Sequence, residues 1–220
     1  MIEAVVFDLD GVLIDSEQVW DEARRQFVME RGGRWHDRAQ QEMMGMSSVE
    51  WSRYVHDELG VDLAPRRISE EVVQRLEDLY RKRLPLVPGA HEAVERLAAR
   101  WPLALASSSN RELIDLVLEL AGLASYFRAT VSSEEVDRGK PAPDVYIEAA
   151  RRLSVSPRRC VAIEDSKNGI LSAAAAGMRV IAIPNQSFPP GEEALSKAAL
   201  SLPELEGLTA EAIERVDSGA

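Results

Sequence analysis

Five short apolar runs punctuate the chain: Ala4–Phe7, Leu103–Ala106, Ala129–Val131, Val161–Ile163 and Val180–Ile183. They are rich in aliphatic and β-branched residues and show no polar alternation, the pattern of strands covered on both faces. Between the later runs, apolar positions recur at helical spacing. "GAHEAVERLAAR" follows Pro88 and puts Ala90, Val94, Leu97 and Ala98 on one stripe. "NRELIDLVLELAG" starts after serines and ends at Gly122, a natural C-cap. "PDVYIEAARRL" and "SKNGILSAAAAG" supply two more helices, the second ending at Gly177. Alternating strand and helix predict an α/β fold, a Rossmann-like, doubly wound parallel sheet.

The interval from 16 to 83 breaks this rhythm. It contains no convincing strand and reads as helices over Glu17–Arg31, about Asp37–Met44, Ser48–Leu59 and Ser69–Arg83. A βα connection needs only a few residues beyond its helix. The interval is therefore expected to be a small α-helical domain inserted into a core formed by 1–15 and 84–220. The alanine-rich stretch at 173–176 reads as a small-residue face for close helix packing.

Ligands of open parallel sheets bind beyond the carboxyl ends of the strands, where strand order reverses. Asp8 and Asp10 follow the first run, and Ser107, Ser108, Ser109 and Asn110 the second. Lys140 follows the third across a loop, and Glu164 and Asp165 the fourth. Each has a plain alternative: turn formers before Gly11, a helix cap, a solvated lysine, acids complementing a helix dipole. Their joint placement at successive strand ends argues for one site. Carboxylates gathered there repel one another unless a cation sits between them, and hard oxygen ligands suit Mg²⁺. A cation beside a hydroxyl and a lysine makes a place for a phosphoryl group. A carboxylate can then act as nucleophile and divide one difficult displacement into two.

Composition narrows the options. The net charge of −11 opposes broad contact with a phosphate backbone, so no nucleic-acid partner is expected. No apolar stretch nears the ~20 residues of a membrane span, and "MIEAVV" lacks a secretory pattern. The single cysteine, Cys160, excludes an internal disulfide, sits in an apolar run and is read as buried and inert. The expectation is a cytoplasmic protein, monomer favoured.

"DLDGVLIDS", "ASSSN", "GKPAPDVY" and "EDSKNG", in this order, resemble the motifs of the haloacid dehalogenase-like hydrolase superfamily. The overall pattern resembles its branch containing β-phosphoglucomutase and phosphoglycolate phosphatase. The resemblance implies a phosphatase of small phosphorylated metabolites with Mg²⁺ as cofactor. It implies Asp8 as nucleophile and Asp10 as general acid, then base. Ser107, Ser108 and Lys140 would hold the phosphoryl group, and Asp8, Asp10, Glu164 and Asp165 the metal, Glu164 as ligand or as support. It implies that the helical insert is a cap whose loop at Met44, Gly45, Met46 and Ser47 contacts substrate; alternatively its methionines pack between cap helices. Asp15 and Ser16 read as a hinge or N-cap. His36, His56 and His91 lack metal-ligand spacing. Arg24 and Arg25 either meet a substrate anion or are solvated. Trp20, Met44 and Ser48 stand where the mutase has a histidine, a lysine and an arginine, which favours phosphatase over mutase.

Overall fold

The computed structural model describes residues 1–43, 46–186 and 188–218. Six strands form one all-parallel sheet: β1 (Ala4–Phe7), β2 (Leu103–Ser107), β3 (Phe127–Ser132), β4 (Cys160–Glu164), β5 (Arg179–Ala182) and β6 (Leu200–Ser201). Their order is β3-β2-β1-β4-β5-β6. The chain thus builds outward from β1 on one side, then crosses to β4 on the other. The reversal falls between β1 and β4.

Side chains alternate across the sheet with the two-residue period of a strand. Val5, Phe7, Leu105 and Ile163 face one core with α5 (Ala90–Ala98), α6 (Arg111–Leu120) and α10 (Ala210–Ser218). Ala4, Val6, Ala106 and Ala162 face the other, with α7 (Asp144–Leu153), α8 (Lys167–Ala175) and α9 (Glu192–Leu195). Small residues on this second face, including Ala149 and Ala173, let the helices approach closely. Every residue of β1, β2 and β4 is buried, which is why those strands read as continuous apolar runs. β6 escaped that reading because it has two residues, one of them exposed.

Four helices leave the sheet after β1: α1 (Glu17–Glu30), α2 (Ala39–Met43), α3 (Ser48–Asp57) and α4 (Pro65–Lys82). The last starts four residues before the expected Ser69. Pro65 stands at its first turn, where the missing N–H costs nothing. The insert leaves and rejoins along one seam. Ile14 bridges Leu86, the Asp15 N–H donates to the Pro85 carbonyl at 2.8 Å and the Val87 N–H to the Leu13 carbonyl at 2.9 Å. Among the described residues, no helix is long and apolar enough to cross a membrane.

Candidate active site

β1 and β4 deliver their acids side by side. The Asp8 N–H donates to the Ile163 carbonyl at 3.0 Å, carrying the β1–β4 ladder one step past the strand. Asp8 therefore stands beside Glu164 and Asp165, all three buried. Lys140, brought in ahead of α7 and also buried, donates to Asp8 Oδ1 at 2.8 Å and Glu164 Oε1 at 2.6 Å.

Glu164 is saturated. Its Oε1 also accepts the Tyr146 hydroxyl at 2.9 Å. Its Oε2 accepts the Asp165 N–H at 3.0 Å, and the Ser166 N–H and hydroxyl at 3.1 Å each. The carboxylate lies so close to α8 that a Cβ on Gly169 would stand 1.6 Å from Oε1. Glu164 is absent from the cavity wall, whereas Asp8, Asp10 and Asp165 line it. Its place in the structure is that of a support which orients Lys140 and the start of α8.

Asp10 is held by hydroxyls. Ser16 donates to its Oδ1 at 2.6 Å; Ser109 and Ser107 donate to its Oδ2 at 2.6 and 3.3 Å. Ser16 makes no side-chain cap bond to α1, so the N-cap alternative gives way to the contact with Asp10. Ser107 is fully buried, and its Oγ also accepts the Ser109 N–H at 2.9 Å. Ser108 and Ser109 reach the wall; Ser107 does not.

These groups floor a cavity of about 440 Å³ whose opposite wall includes Trp20, Arg24, Met43, Met46 and Trp51. Of the loop residues expected to contact substrate, Met46 lines the cavity. Ser47 instead caps α3. Its Oγ accepts the Glu50 N–H, and Glu50 Oε2 accepts the Ser47 N–H at 2.8 Å. Met44 and Gly45 lie outside the described residues. Arg24 is buried, not solvated, and Arg25 is exposed. The three histidines make local contacts away from the cavity: His36 with the Tyr54 hydroxyl, His56 with the Val61 carbonyl, and His91 edge-on to Tyr126.

The electrostatics call for a cation. Burial pushes Asp8 up to about 8, against the pull of Lys140 and helped by Glu164 and Asp10. Burial, then Glu164 and Asp8, raise Asp165 well above the usual carboxylate range. Burial alone would lower Lys140, but Asp8 and Glu164 outweigh it and raise it. Asp165 Oδ1 is buried with no hydrogen-bond partner among the described residues. Asp8, Glu164 and Asp165 offer oxygens within 4.8 Å of one another. A buried acidic set with an orphaned oxygen and one lysine fits a hard divalent ion.

Sequence reasoning assigned no role to Tyr146, although "GKPAPDVY" contains it, and gave Ser109 none beyond its place among the serines after β2, with a helix cap as the alternative. Three consecutive serines carry no signal of which hydroxyl turns inward. Trp51 and Gln40 also gave no signal, since they meet Arg24 only through the packing of the insert.

The family model for haloacid dehalogenase-like hydrolases matches residues 2–177. Hexitol phosphatase B of Escherichia coli K12 is 36% identical over 202 residues, 83% of this chain and 84% of that protein. The crystal structure of CbbY from Rhodobacter sphaeroides in complex with phosphate superposes with a TM-score of 0.86 at 25% identity, covering 97% of this chain and all of that one. A putative β-phosphoglucomutase from Thermotoga maritima superposes with a TM-score of 0.74 at 28% identity, covering 97% and 99%.

Proposed function

The chain belongs to the haloacid dehalogenase-like hydrolases, and from that premise we propose that it is a Mg²⁺-dependent phosphatase of small phosphorylated carbohydrates, acting through an aspartyl phosphate. The observation that carries this reading is the buried Lys140–Asp8 pair, 2.8 Å apart, opening on the same cavity as a hydroxyl-bound Asp10.

Lys140 holds Asp8 Oδ1, which orients the carboxylate for attack on phosphorus. The bond from Asp8 oxygen to phosphorus forms as the ester P–O bond breaks. Asp10 gives its proton to the departing alkoxide, and the alcohol leaves. Asp10 then takes a proton from water as the water oxygen attacks phosphorus; the Asp8–phosphorus bond breaks and inorganic phosphate is released. The Ser108 hydroxyl and Lys140 supply donors and charge to the transferring oxygens, while the Ser109 hydroxyl stays on Asp10. Asp8, Asp165 and the Asp10 carbonyl are the proposed Mg²⁺ ligands, with Glu164 behind them; the bound ion would offset the charge of the acids and of the phosphoryl oxygens. Helices α1–α4 are proposed to act as a cap that excludes bulk water.

A second reading, phosphoryl transfer between sugar hydroxyls, draws on the likeness to the putative β-phosphoglucomutase. Against it, Trp20 lines the cavity and none of the three histidines does. Ser48 donates to Glu134 at 2.9 Å and offers no cation. Phosphate release from p-nitrophenyl phosphate and a panel of sugar phosphates, with Mg²⁺ and with EDTA, tests the proposal. Asp8→Asn is expected to lower kcat by at least about a thousandfold, as loss of a nucleophile does; appreciable turnover by that variant would sink the covalent mechanism. Efficient conversion of β-glucose 1-phosphate to glucose 6-phosphate, with little free phosphate, would establish the mutase.

A further inference from the structure

Arg24 lies in the cavity wall opposite the carboxylates, yet it is only 5% exposed. Its guanidinium is clasped between two indoles, 4.2 Å from the Trp20 ring centroid and 4.8 Å from that of Trp51. Among the described residues its one side-chain hydrogen bond is long: Nη1 to Gln40 Oε1 at 3.4 Å. Nε is buried with no partner among the described residues. Gln40 in turn donates to Glu17 Oε2 at 2.9 Å. Glu17 and Arg24 thus line the cavity, linked from behind the wall by the Gln40 amide and flanked by two aromatic faces.

The deficit at Arg24 is one of hydrogen-bond acceptors. Burial lowers Arg24 to about 10, and the fields of Glu17 and Asp10 offset this only in part, while their carboxylates repel any further anion brought to this wall. A neutral acceptor meets the deficit without that repulsion, and indole faces suit the C–H surface of a carbohydrate. We propose that Arg24, framed by Trp20 and Trp51, is the specificity-determining residue that donates hydrogen bonds to hydroxyl oxygens of a phosphorylated polyol or sugar, and that it selects such monophosphates over bisphosphates and phosphorylated carboxylic acids. This inference rests on the phosphatase reading of the same cavity and names its substrate class.

Two measurements test it. The first is kcat/KM for four esters: glucitol 6-phosphate, n-hexyl phosphate, fructose 1,6-bisphosphate and phosphoglycolate. The wild type should favour glucitol 6-phosphate over each of the others by tenfold or more. Arg24→Gln should cut its preference over n-hexyl phosphate at least tenfold, chiefly through KM. Arg24→Lys should behave like Arg24→Gln, because an ammonium keeps the charge and loses the planar fork. Full rescue by Lys, or a wild type that favours fructose 1,6-bisphosphate or phosphoglycolate, would mean that charge is what the wall reads and would overturn the proposal. So would an Arg24→Gln protein that loses all four esters equally. The second measurement is a tryptophan-fluorescence titration of Asp8→Asn with glucitol 6-phosphate and n-hexyl phosphate, which needs no turnover. Tighter binding of glucitol 6-phosphate supports the proposal even if no ester is hydrolysed, in which case only the phosphatase reading fails; equal binding refutes it. The wild-type panel and this titration decide the matter even if both Arg24 variants fail to fold.

Discussion

Gly11 turns the chain from β1 toward Asp10's serines with φ of +84°, and a Cβ there would stand 2.0 Å from Asp165 Oδ2. Two demands meet at one residue: a left-handed backbone and space for a carboxylate. Gly11→Ala is expected to cost about 1–3 kcal/mol from the backbone alone, read as a lower urea midpoint. It should also weaken Mg²⁺ binding by displacing Asp165, seen as a higher Mg²⁺ concentration for half-maximal activity. Cys160 is buried, and burial, with Glu3 nearby, pushes its thiol up to about 11. Thiolate is the reactive form, so a disulfide reagent at pH 8 should modify it only after unfolding. Rapid reaction of the native protein would contradict that placement.

At the scale of the element, the start of α3 decides how the loop before it sits. Ser47 and Glu50 form a reciprocal capping box, and the Ser48 hydroxyl donates to Glu134, which also accepts from the Asn110 amide at 2.7 Å. The first turn of α3 is thus tied to the core beside α6. Ser47→Ala should destabilise the protein by about 1 kcal/mol, the usual worth of such a cap, measured by urea denaturation. An unchanged midpoint would show that the box contributes nothing. The capping box was readable as S-x-x-E in "SSVE"; its priority over substrate contact was not, because the same hydroxyl suits both tasks until the helix is placed.

For the whole molecule, the acidic floor couples stability to pH and to the cation. Asp8 sits near 8 in the folded state, raised by burial, against about 3.9 in an unfolded chain. Between those values the folded state keeps a proton that the unfolded state has lost, so raising the pH favours unfolding through that window. Chelated protein should therefore have a lower urea midpoint at pH 7.5 than at pH 5.5, and Asp8→Asn should narrow the difference. Added Mg²⁺ should narrow it too, by binding the ionised set in the folded state alone. A chelated wild type with the same midpoint at both pH values would refute the linkage. The chain enters and leaves the insert at the Ile14–Leu86 seam, and the insert is expected to swing about that line as the Ser48–Glu134 bond opens and closes. Small-angle scattering should show a more compact molecule with aluminium fluoride and Mg²⁺ than without; identical curves would argue for a fixed insert.

Short-range chemistry in the chain was enough to determine the parallel sheet, the helical insertion after β1 and the acids, serines and lysine at the strand ends. Strands buried on both faces must be apolar throughout, and a strand-end site must place its polar groups just past them. Both rules write themselves into local sequence. The structure alone decided which serine hydroxyls turn toward Asp10, that Glu164 is consumed by Lys140, Tyr146 and the start of α8, and that Arg24 lies between two indoles. Those outcomes depend on residues far apart in the chain, such as Lys140 and Glu164, or Arg24 and Trp51, meeting at distances of a few ångströms. No local pattern encodes such a meeting; it is set by the alignment of strands in the sheet for the core residues and by the packing of the insert's helices for Arg24.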